Sequence, residues 1–404
     1  MICIIFAAIK TQLHRMESLI FSKTEIILLL LAAMFLIIQA VYYFTLYNRI
    51  YLRDKHARQN GIPFTKEQPP VSVVISVRDD SEHLLECLTS ILEQDYPLFE
   101  VIVINDGDNE ESENIILPLE NKYNNLYHSF VPNSSRYLSR KKLALTIGVK
   151  AAKYDWIVVT EPNCAPASNQ WLKCMARNFT SRTEVVLGYS RYQHDKSWTN
   201  RCIAFDNLFQ SMRYLGMALA GKPYMGIGRN MAYRKELFFQ QKGFSAHLNL
   251  QRGDDDLFIN QIANGENTRV ECCTEAIVQT SNIESCKNWC TEKMGYAQTA
   301  RLLKGNQQLL LGGETATRLL FHVCWIAATV IAVVNGHWLA AGIALFAGLA
   351  KWIMQGCVLN LTAKVLNEQR RYYLTLPVMD FLQPLQSLCW KVASLFKKKS
   401  SLLD

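Results

Sequence analysis

Three adjacent carboxylates make the most compact set of chemically useful side chains in this sequence. Asp254, Asp255 and Asp256 follow Gly253 and precede the apolar pair 257–258, so the chain can pack just beyond them while their heads stay polar. Carboxylates packed side by side repel one another, and this raises the pKa of at least one of them. A raised pKa suits a general base that accepts a proton near neutral pH. The alternative is structural, because acidic residues after a glycine also cap a helix N-terminus and complement its dipole.

The elements that must position these carboxylates alternate along the chain. Runs of β-branched and apolar residues predict strands at 71–77, 100–104, 126–131, 156–160 and 185–189. Helical spacing of apolar residues predicts a helix that starts at Ser81 and others at 111–123, 141–153, 170–179 and 200–219. This alternation predicts an α/β fold with a doubly wound, mostly parallel sheet. Later, residues 225–233 are predicted to form a glycine-bearing strand or loop, and a helical run is predicted from the triplet through Trp289.

More polar side chains stand where the predicted strands end. In doubly wound sheets, ligands bind beyond the carboxyl ends of the strands. The residues at those ends are Asp79, Asp80, Asp106, Asp108, Glu161 and Asn163. We therefore expect them to line one site.

Apolar stretches long enough to cross a bilayer flank this region. Residues 26–47 and 319–350 carry no Asp, Glu, Lys or Arg. They predict one span at 25–47 and a hairpin of spans at 317–335 and 338–359. Lys351 must either reach the headgroups or face a polar path. Residues 372–397 are predicted to form an amphipathic helix in the membrane interface.

The spans divide the chain into an N-terminal extension (1–24), a linker (48–70) and a soluble domain (71–305). Basic residues border the spans on the domain side, whereas the hairpin turn carries no Lys or Arg. The positive-inside rule then predicts a multi-pass protein of the inner membrane whose domain faces the cytoplasm, with the N-terminus and the hairpin turn outside.

Charge and cysteine usage exclude other classes. The net charge is +8, but Lys and Arg do not cluster in the soluble domain, so we expect no nucleic-acid partner. The twelve cysteines lack the spacing of a zinc site, and we expect them to be reduced core thiols.

The runs 71–80, 103–108, 141–148 and 253–257 form four motifs. In this order, they resemble the motifs of the inverting family-2 glycosyltransferases with the GT-A fold. Residues 71–80 are similar to the family's nucleotide-binding opening, and 103–108 to its Val-Asp-Asp-Gly-Ser signature. The run 141–148 resembles its Gly-Lys-x-x-Ala-Leu-Asn-x-Gly helix, and 253–257 resembles its Gly-Glu-Asp-x-Asp-Leu acceptor motif. One span before the domain and two after it resemble the membrane-integrated bacterial branch, which includes synthases of polysaccharides and glycolipids.

The resemblance implies a nucleotide-sugar donor, with uridine as the expected nucleoside. Asp79, Asp80 and Asp106 would hold the base and the ribose, because carboxylates accept hydrogen bonds from ring N–H groups and hydroxyls. Lys141 would face the diphosphate as a point charge.

The resemblance also assigns an acceptor side. Asp255 would be the general base that deprotonates the acceptor hydroxyl, while Asp254 and Asp256 keep it polarised and placed. The residues predicted to bind the acceptor are Arg229, Asn230, Trp289 and Tyr296. A structural interpretation stays open for them, as braces of a loop or as core and interface aromatics.

Two departures from the family pattern stand out. Its metal-binding Asp-x-Asp appears here as 161–163, where Glu161 and Asn163 offer oxygen ligands for Mg²⁺ or Mn²⁺, the Asn oxygen being the weaker because it is neutral. We expect a divalent cation there. Its Gln-x-x-Arg-Trp-type motif aligns with 292–296, where Gly295 replaces the arginine and Tyr296 the tryptophan. The lost arginine weakens the case for processive polymerisation.

These features predict a membrane-anchored glycosyltransferase that transfers a hexosyl or N-acetylhexosaminyl group to a hydroxyl of a lipid-linked or polysaccharide acceptor. Two alternatives stay open. The altered metal motif and the lost arginine suit a non-catalytic, nucleotide-sugar-binding subunit of a glycan-assembly complex. A polyprenyl-phosphate sugar transferase would use a phosphate acceptor in place of a hydroxyl.

Overall fold

The computed structural model describes residues 21–59, 61–78, 81–106, 110–131, 139–248, 250–281, 283 and 285–396. The chain divides into two compact units. One comprises Met1–Tyr47, Leu309–Asn360 and Tyr372–Gln386, and the other comprises Asn48–Gln308, Leu361–Arg371 and Ser387–Asp404.

The helices and strands follow one another in the order α1 (Lys23–Tyr42), α2 (Arg49–Arg58), β1 (Val71–Val77), α3 (Ser81–Leu92), β2 (Phe99–Asn105), α4 (Glu110–Lys122), β3 (Leu126–Phe130), α5 (Arg140–Ala151), β4 (Trp156–Thr160), β5 (Cys164–Pro166), α6 (Trp171–Ala176), β6 (Val185–Leu187), β7 (Ser190–Tyr192), α7 (Trp198–Leu219), β8 (Met231–Arg234), α8 (Lys235–Gln240), α9 (Asp256–Ile262), β9 (Thr268–Val270), β10 (Val278–Thr280), α10 (Cys286–Thr299), α11 (Gln307–Val334), α12 (Trp338–Val365) and α13 (Leu376–Phe396).

The larger unit is built on a seven-stranded sheet with the order β3-β2-β1-β4-β8-β6-β9. Strands β3, β2, β1 and β4 are parallel, β8 is antiparallel to both neighbours, and β9 is parallel to β6. A second sheet of three strands has the order β5-β10-β7. The predicted α/β fold with a mostly parallel sheet is confirmed.

Continuous apolar runs explain the centre of this sheet. All seven residues of β1 are buried, as are all five of β4, because helices cover both faces of parallel strands. In the register, Val77 of β1 lies beside Asn105 of β2. Neighbouring parallel strands therefore end at one edge, and Asp106 and Glu161 follow β2 and β4 there.

Two predictions about secondary structure are wrong. The helical run expected from the triplet through Trp289 is interrupted, since α9 ends at Ile262 and strands β9 and β10 precede α10. The strand expected at 185–189 ends at Leu187 as β6, and the chain then starts β7 at Ser190, which joins the other sheet. In each case the pairing partner lies far away in sequence, so tertiary pairing overrides the local pattern.

Most residues of the membrane-spanning candidates belong to the smaller unit. Three helical stretches are long and apolar enough to cross a bilayer, namely Lys23–Arg58, Gln307–Val334 and Trp338–Val365, which agrees with the three predicted spans. Within this unit, Glu25 accepts hydrogen bonds from Asn335 at 3.0 Å and from His337 at 2.8 Å. The start of α1 and the α11–α12 turn therefore lie at the same end of the smaller unit.

Lys351 faces a polar cluster, which is the second of the two environments expected for it. It forms an ion pair with Asp380 of α13, and Arg318 lies 3.7 Å from the same carboxylate and 3.4 Å from Glu314. All four side chains are buried. Two cations and two anions balance, which burial of charge in an apolar unit requires. The interfacial position of residues 372–397 stays a prediction.

We predict that Gly148→Ala destabilises the larger unit. A Cβ on Gly148 of α5 would lie 2.5 Å from Val74 Cγ1 of β1, so α5 would have to move off the sheet. Overpacking of this kind costs about 1–3 kcal/mol and outweighs alanine's better helix propensity. The measurement is thermal and chemical unfolding of the detergent-solubilised chain.

The matched control is Lys150→Ala, an exposed position of the same helix, which should change the free energy of unfolding by less than about 0.5 kcal/mol. A Gly148→Ala variant as stable as the parent would show that α5 does not need this close approach.

Candidate active site

The acidic triplet forms the start of α9. Gly253 has φ +102°, which favours glycine, and the Asp255 side chain caps the helix by accepting the Asp256 N–H at 2.7 Å. All three carboxylates are buried. The capping interpretation of the triplet is therefore correct in part, and it is compatible with a chemical role because the same turn holds Asp255 at the site.

Asp255 is held by donors from two other segments. Its Oδ2 accepts the hydroxyl of Tyr296 at 2.9 Å and the backbone N–H of Gly228 at 3.2 Å. Burial raises the pKa of Asp255, and the neighbouring Asp254 raises it further, while Lys141 acts against this. The carboxylate thus has a fixed orientation and a raised proton affinity, the two properties of a general base.

Asp256 points away from this set and into the fold. Its Oδ2 is bonded to the Thr299 hydroxyl of α10, and its Oδ1 accepts the Leu257 N–H at 2.7 Å. Burial, followed by the charge of Asp255, raises its pKa to about 8. At neutral pH Asp256 is therefore largely protonated, and the triplet carries less than its formal charge of three.

Lys141 at the start of α5 joins the strand-end carboxylate to the triplet. Its Nζ lies 2.9 Å from Glu161 Oε1 and 3.1 Å from Asp254 Oδ2. Partial burial disfavours its charge, but Asp254 and Glu161 outweigh burial and the pKa of Lys141 is raised. Burial likewise opposes the charge of Glu161, yet Lys141 and Arg229 lower its pKa to about 2. Both groups are charged in the working pH range.

The two residues beside Lys141 also reach the site, which sequence reasoning missed. Arg140 Nε donates to Asp106 Oδ1 at 2.7 Å. The fully buried Lys142 donates to the backbone carbonyls of three residues in the segment before the triplet, His247, Leu250 and Arg252, at 2.6 to 2.8 Å. The start of α5 therefore holds Asp106 on one side and that segment on the other.

The four predicted acceptor residues divide into a pair beside the carboxylates, Arg229 and Tyr296, and a structural pair, Asn230 and Trp289. Arg229 lies 3.6 Å from Glu292 and over the Tyr192 ring, and Tyr296 bonds Asp255, so both border the carboxylates. Asn230 donates to the carbonyls of Tyr189 and Ala276 and accepts from Trp171 Nε1, so its amide braces the two sheets.

Trp289 is the second residue of the structural pair. It is 4% exposed and packs edge-on against Trp390 with ring centroids 5.3 Å apart. Neither Asn230 nor Trp289 presents a free face, and the geometry supports the structural interpretation for both.

The donor set at 161–163 has the chemistry of a hard-cation site. Glu161 Oε1 is bonded to Lys141, while no described residue bonds its Oε2, and Asn163 Oδ1 has only the weak thiol donor of Cys164 at 3.6 Å. Oxygen-only ligands suit Mg²⁺ and Mn²⁺, which also take substrate phosphates and water as ligands. Glu161 and Asn163 therefore fit a divalent cation that shares Glu161 with Lys141. Asp79, Asp80 and Asp108 lie outside the described residues.

The mostly parallel sheet, with buried carboxylates at its edge, agrees with the predicted GT-A fold. The family model "Glycosyl transferase family 2" matches residues 72–239, the region that contains β1 to β8. The resemblance to family-2 glycosyltransferases that the motifs predicted is therefore confirmed over residues 72–239.

Curated relatives align over a shorter stretch. The poly-beta-1,6-N-acetyl-D-glucosamine synthase of Staphylococcus epidermidis is 27% identical over 127 residues, which are 30% of this chain and 27% of that protein. The same synthase from another strain of that species is 26% identical over 127 residues. The aligned part is thus about a quarter of the length of these relatives.

One solved structure shares the fold over most of the chain. The mannosyltransferase PcManGT from Pyrobaculum calidifontis, in complex with GDP-Man and Mn²⁺, superposes with a TM-score of 0.52 at 17% identity and covers 84% of this chain and 100% of its own. Residues 1–349 of S. aureus TarS give a TM-score of 0.39 at 14% identity, with 80% and 92% covered.

We predict that Asp256→Asn makes the stability of the protein less dependent on pH. The folded pKa of Asp256 is about 8 and its ordinary value is 3.8, so between these values the unfolded chain has released a proton that the folded chain keeps. Stability of the parent therefore falls as pH rises through this window. The variant should gain a few degrees in Tm at pH 8.5 and match the parent near pH 4.

Asp155→Asn, which changes an exposed carboxylate, should leave the pH dependence of Tm unaltered. Equal slopes of Tm against pH in the parent and in Asp256→Asn would contradict the burial of a protonated Asp256.

Proposed function

We propose that the protein is a membrane-anchored, inverting glycosyltransferase that passes a sugar from a nucleoside diphosphate donor to a hydroxyl acceptor. The observation that carries the proposal is the environment of Asp255. This carboxylate is buried, its pKa is raised, and the Tyr296 hydroxyl and the Gly228 N–H fix its orientation at the edge of the sheet.

The chemistry requires a base on one side of the sugar and positive charge on the other. Asp255 removes the proton of the acceptor hydroxyl, and the freed oxygen attacks the anomeric carbon in line with the bond to the donor. That bond breaks, and its electron pair leaves with the nucleoside diphosphate. Positive charge that is already in position stabilises this leaving group, and Lys141 is the cation that lies between Glu161 and Asp254.

On the donor side, we propose that Asp79, Asp80 and Asp106 hold the base and the ribose, with a uridine nucleotide as the expected donor. The Arg140–Asp106 pair supports this role, because it fixes a carboxylate at the end of β2. A divalent cation would be held by Glu161 and Asn163 and would offset charge on the diphosphate when bound. A Mn²⁺ ion accompanies GDP-Man in the mannosyltransferase of the same fold.

On the acceptor side, we propose a lipid-linked or polysaccharide hydroxyl. The name of the staphylococcal relative, a poly-N-acetylglucosamine synthase, supports a glycan product and transfer of a hexosyl or N-acetylhexosaminyl group. Arg229 and Tyr296 are the predicted acceptor residues that border the base. Three candidate spans support a bilayer partner, and the distribution of basic residues supports a domain on the cytoplasmic face of the inner membrane.

Asp255→Asn should abolish transfer and leave donor binding nearly unchanged. Asparagine keeps the shape and the bond to the Asp256 N–H but cannot accept a proton at neutral pH, so the rate should fall by at least about 10²-fold, the contribution of general-base catalysis. Transfer from a radiolabelled nucleotide-sugar panel to membrane lipids measures the rate, and calorimetry with the released nucleoside diphosphate measures binding.

The exposed Asp95→Asn substitution serves as the matched control and should retain full transfer. Undiminished transfer by Asp255→Asn would exclude this residue as the base. A parent protein with no transfer to any acceptor would instead favour the non-catalytic subunit.

Glu161→Gln should remove the dependence of nucleotide binding on a divalent cation. In the parent, UDP or GDP should raise Tm further when Mn²⁺ or Mg²⁺ is present, because a ligand of the folded state stabilises it by mass action. The amide offers a neutral oxygen in place of a carboxylate, so the increment caused by the cation should disappear. Thermal shift with and without EDTA measures it.

Glu113→Gln, an exposed change on α4, should keep the full increment. An increment of equal size in Glu161→Gln would move the cation site away from 161–163.

A further inference from the structure

Helix α10 has a position without a side chain, Gly295, which we call the gap. Gly295 lies inside this helix, where glycine is less favourable than alanine because of its backbone freedom. A Cβ built on Gly295 would lie 2.3 Å from Cδ and 2.5 Å from Nε of Arg252. A side chain at position 295 and the observed position of Arg252 therefore exclude each other.

Arg252 is fixed at both ends. Its backbone carbonyl accepts from the buried Lys142 at 2.7 Å, and its guanidinium carbon lies 5.4 Å from the centre of the Tyr296 ring. Tyr296 is the residue whose hydroxyl bonds Asp255. The guanidinium is thus held beside the proposed base by a bond to its backbone and by a contact with an aromatic face.

The guanidinium has hydrogen-bond donors to spare. No described residue accepts a hydrogen bond from the Arg252 side chain or forms an ion pair with it. Burial disfavours its charge, but Tyr296, Glu292 and Asp255 raise its pKa, so it stays charged. A charged guanidinium offers five donors in a planar fork that matches the oxygens of a phosphate. A half-buried fork that has no hydrogen-bond acceptor among the described residues is suited to an anionic ligand.

We propose that Arg252 binds the diphosphate of the nucleotide donor and that Gly295 is the gap that admits it. The family motif predicts an arginine at position 295 of α10, where this chain has glycine. The guanidinium of Arg252, from the segment before the triplet, occupies that space instead. The inference rests on the proposed function, since it needs a nucleoside diphosphate at this site. It names the residue pair that recognises the diphosphate.

A structural role for Arg252 makes a different prediction. The guanidinium could instead only support Tyr296 or balance the carboxylates. Its loss would then disturb the whole pocket, and the affinity for a nucleoside would fall as much as the affinity for its diphosphate. If it binds phosphate oxygens, only the diphosphate should lose affinity. The comparison of nucleoside with nucleoside diphosphate therefore separates the two roles.

The first experiment is calorimetry on the detergent-solubilised full chain with UDP, GDP, ADP, CDP and dTDP, followed by the nucleoside of the tightest binder. Arg252→Ala should lower the affinity for the diphosphate by roughly ten- to a hundredfold, the range for a charge-assisted hydrogen bond. Its affinity for the nucleoside should stay within about twofold of the parent's, as independent contacts require.

The second experiment uses the gap. Gly295→Ala should lower the affinity for the diphosphate as much as Arg252→Ala does. It should nevertheless raise Tm, because alanine favours the helix. In the Arg252→Ala background the same change should have no further effect. Arg252→Ala combined with Gly295→Arg should regain affinity, since it returns a guanidinium to the vacated volume. Gly342→Ala, in a helix where a Cβ meets nothing within 4 Å, is the matched control and should leave binding unchanged.

The outcomes are distinct. A parent that binds none of the five diphosphates overturns the proposed function together with this inference. A parent that binds a diphosphate while Arg252→Ala binds it equally well overturns the role of Arg252 alone. Equal loss of nucleoside and diphosphate assigns Arg252 a structural role and also overturns the inference. Additive losses from Arg252→Ala and Gly295→Ala overturn the role of the gap.

Discussion

The burial of three adjacent carboxylates is the constraint on which the site depends. Carboxylates removed from water repel one another unless each finds donors, cations or a proton. Asp254 has the ammonium of Lys141, Asp255 has the Tyr296 hydroxyl and two backbone N–H groups, and Asp256 keeps a proton near neutral pH. Three consecutive carboxylates are thus accommodated in three different ways. Asp255 has a raised pKa, and its bond to the Gly228 N–H holds it near the strand-end carboxylate Glu161.

Helix α5 makes this arrangement possible. Its glycine, Gly148, lets the helix lie against β1 and β2, and this fixes the height of its first turn above the sheet edge. From that turn Arg140 bonds Asp106, Lys141 joins Glu161 to Asp254, and Lys142 holds the segment that leads to the triplet. Three consecutive residues thus serve three parts of the site. Lys142 has three carbonyl partners and no exposed surface, so it contributes to the interior of the fold and not to a solvated helix face.

Local patterns predicted a large part of the fold. Strands 71–77 and 156–160 were predicted to the residue, because unbroken β-branched runs between polar turns have few other structures. The three candidate spans followed from length and the absence of charge. Strands β9 and β10 could not be predicted in this way. They are three residues long, and their partners β6, β5 and β7 lie far away in sequence.

The sequence by itself determined which chemistry is present: an acidic triplet, carboxylates at strand ends, a basic turn at the start of α5, and apolar spans. It could do so because each is a feature of neighbouring residues. The tertiary structure alone decided which groups neutralise one another. Lys141 pairs with Glu161 and Asp254, Asn230 braces two sheets, and Arg252 enters the space left by Gly295. These pairings depend on distances of a few ångströms between segments far apart in sequence, and only packing fixes such distances.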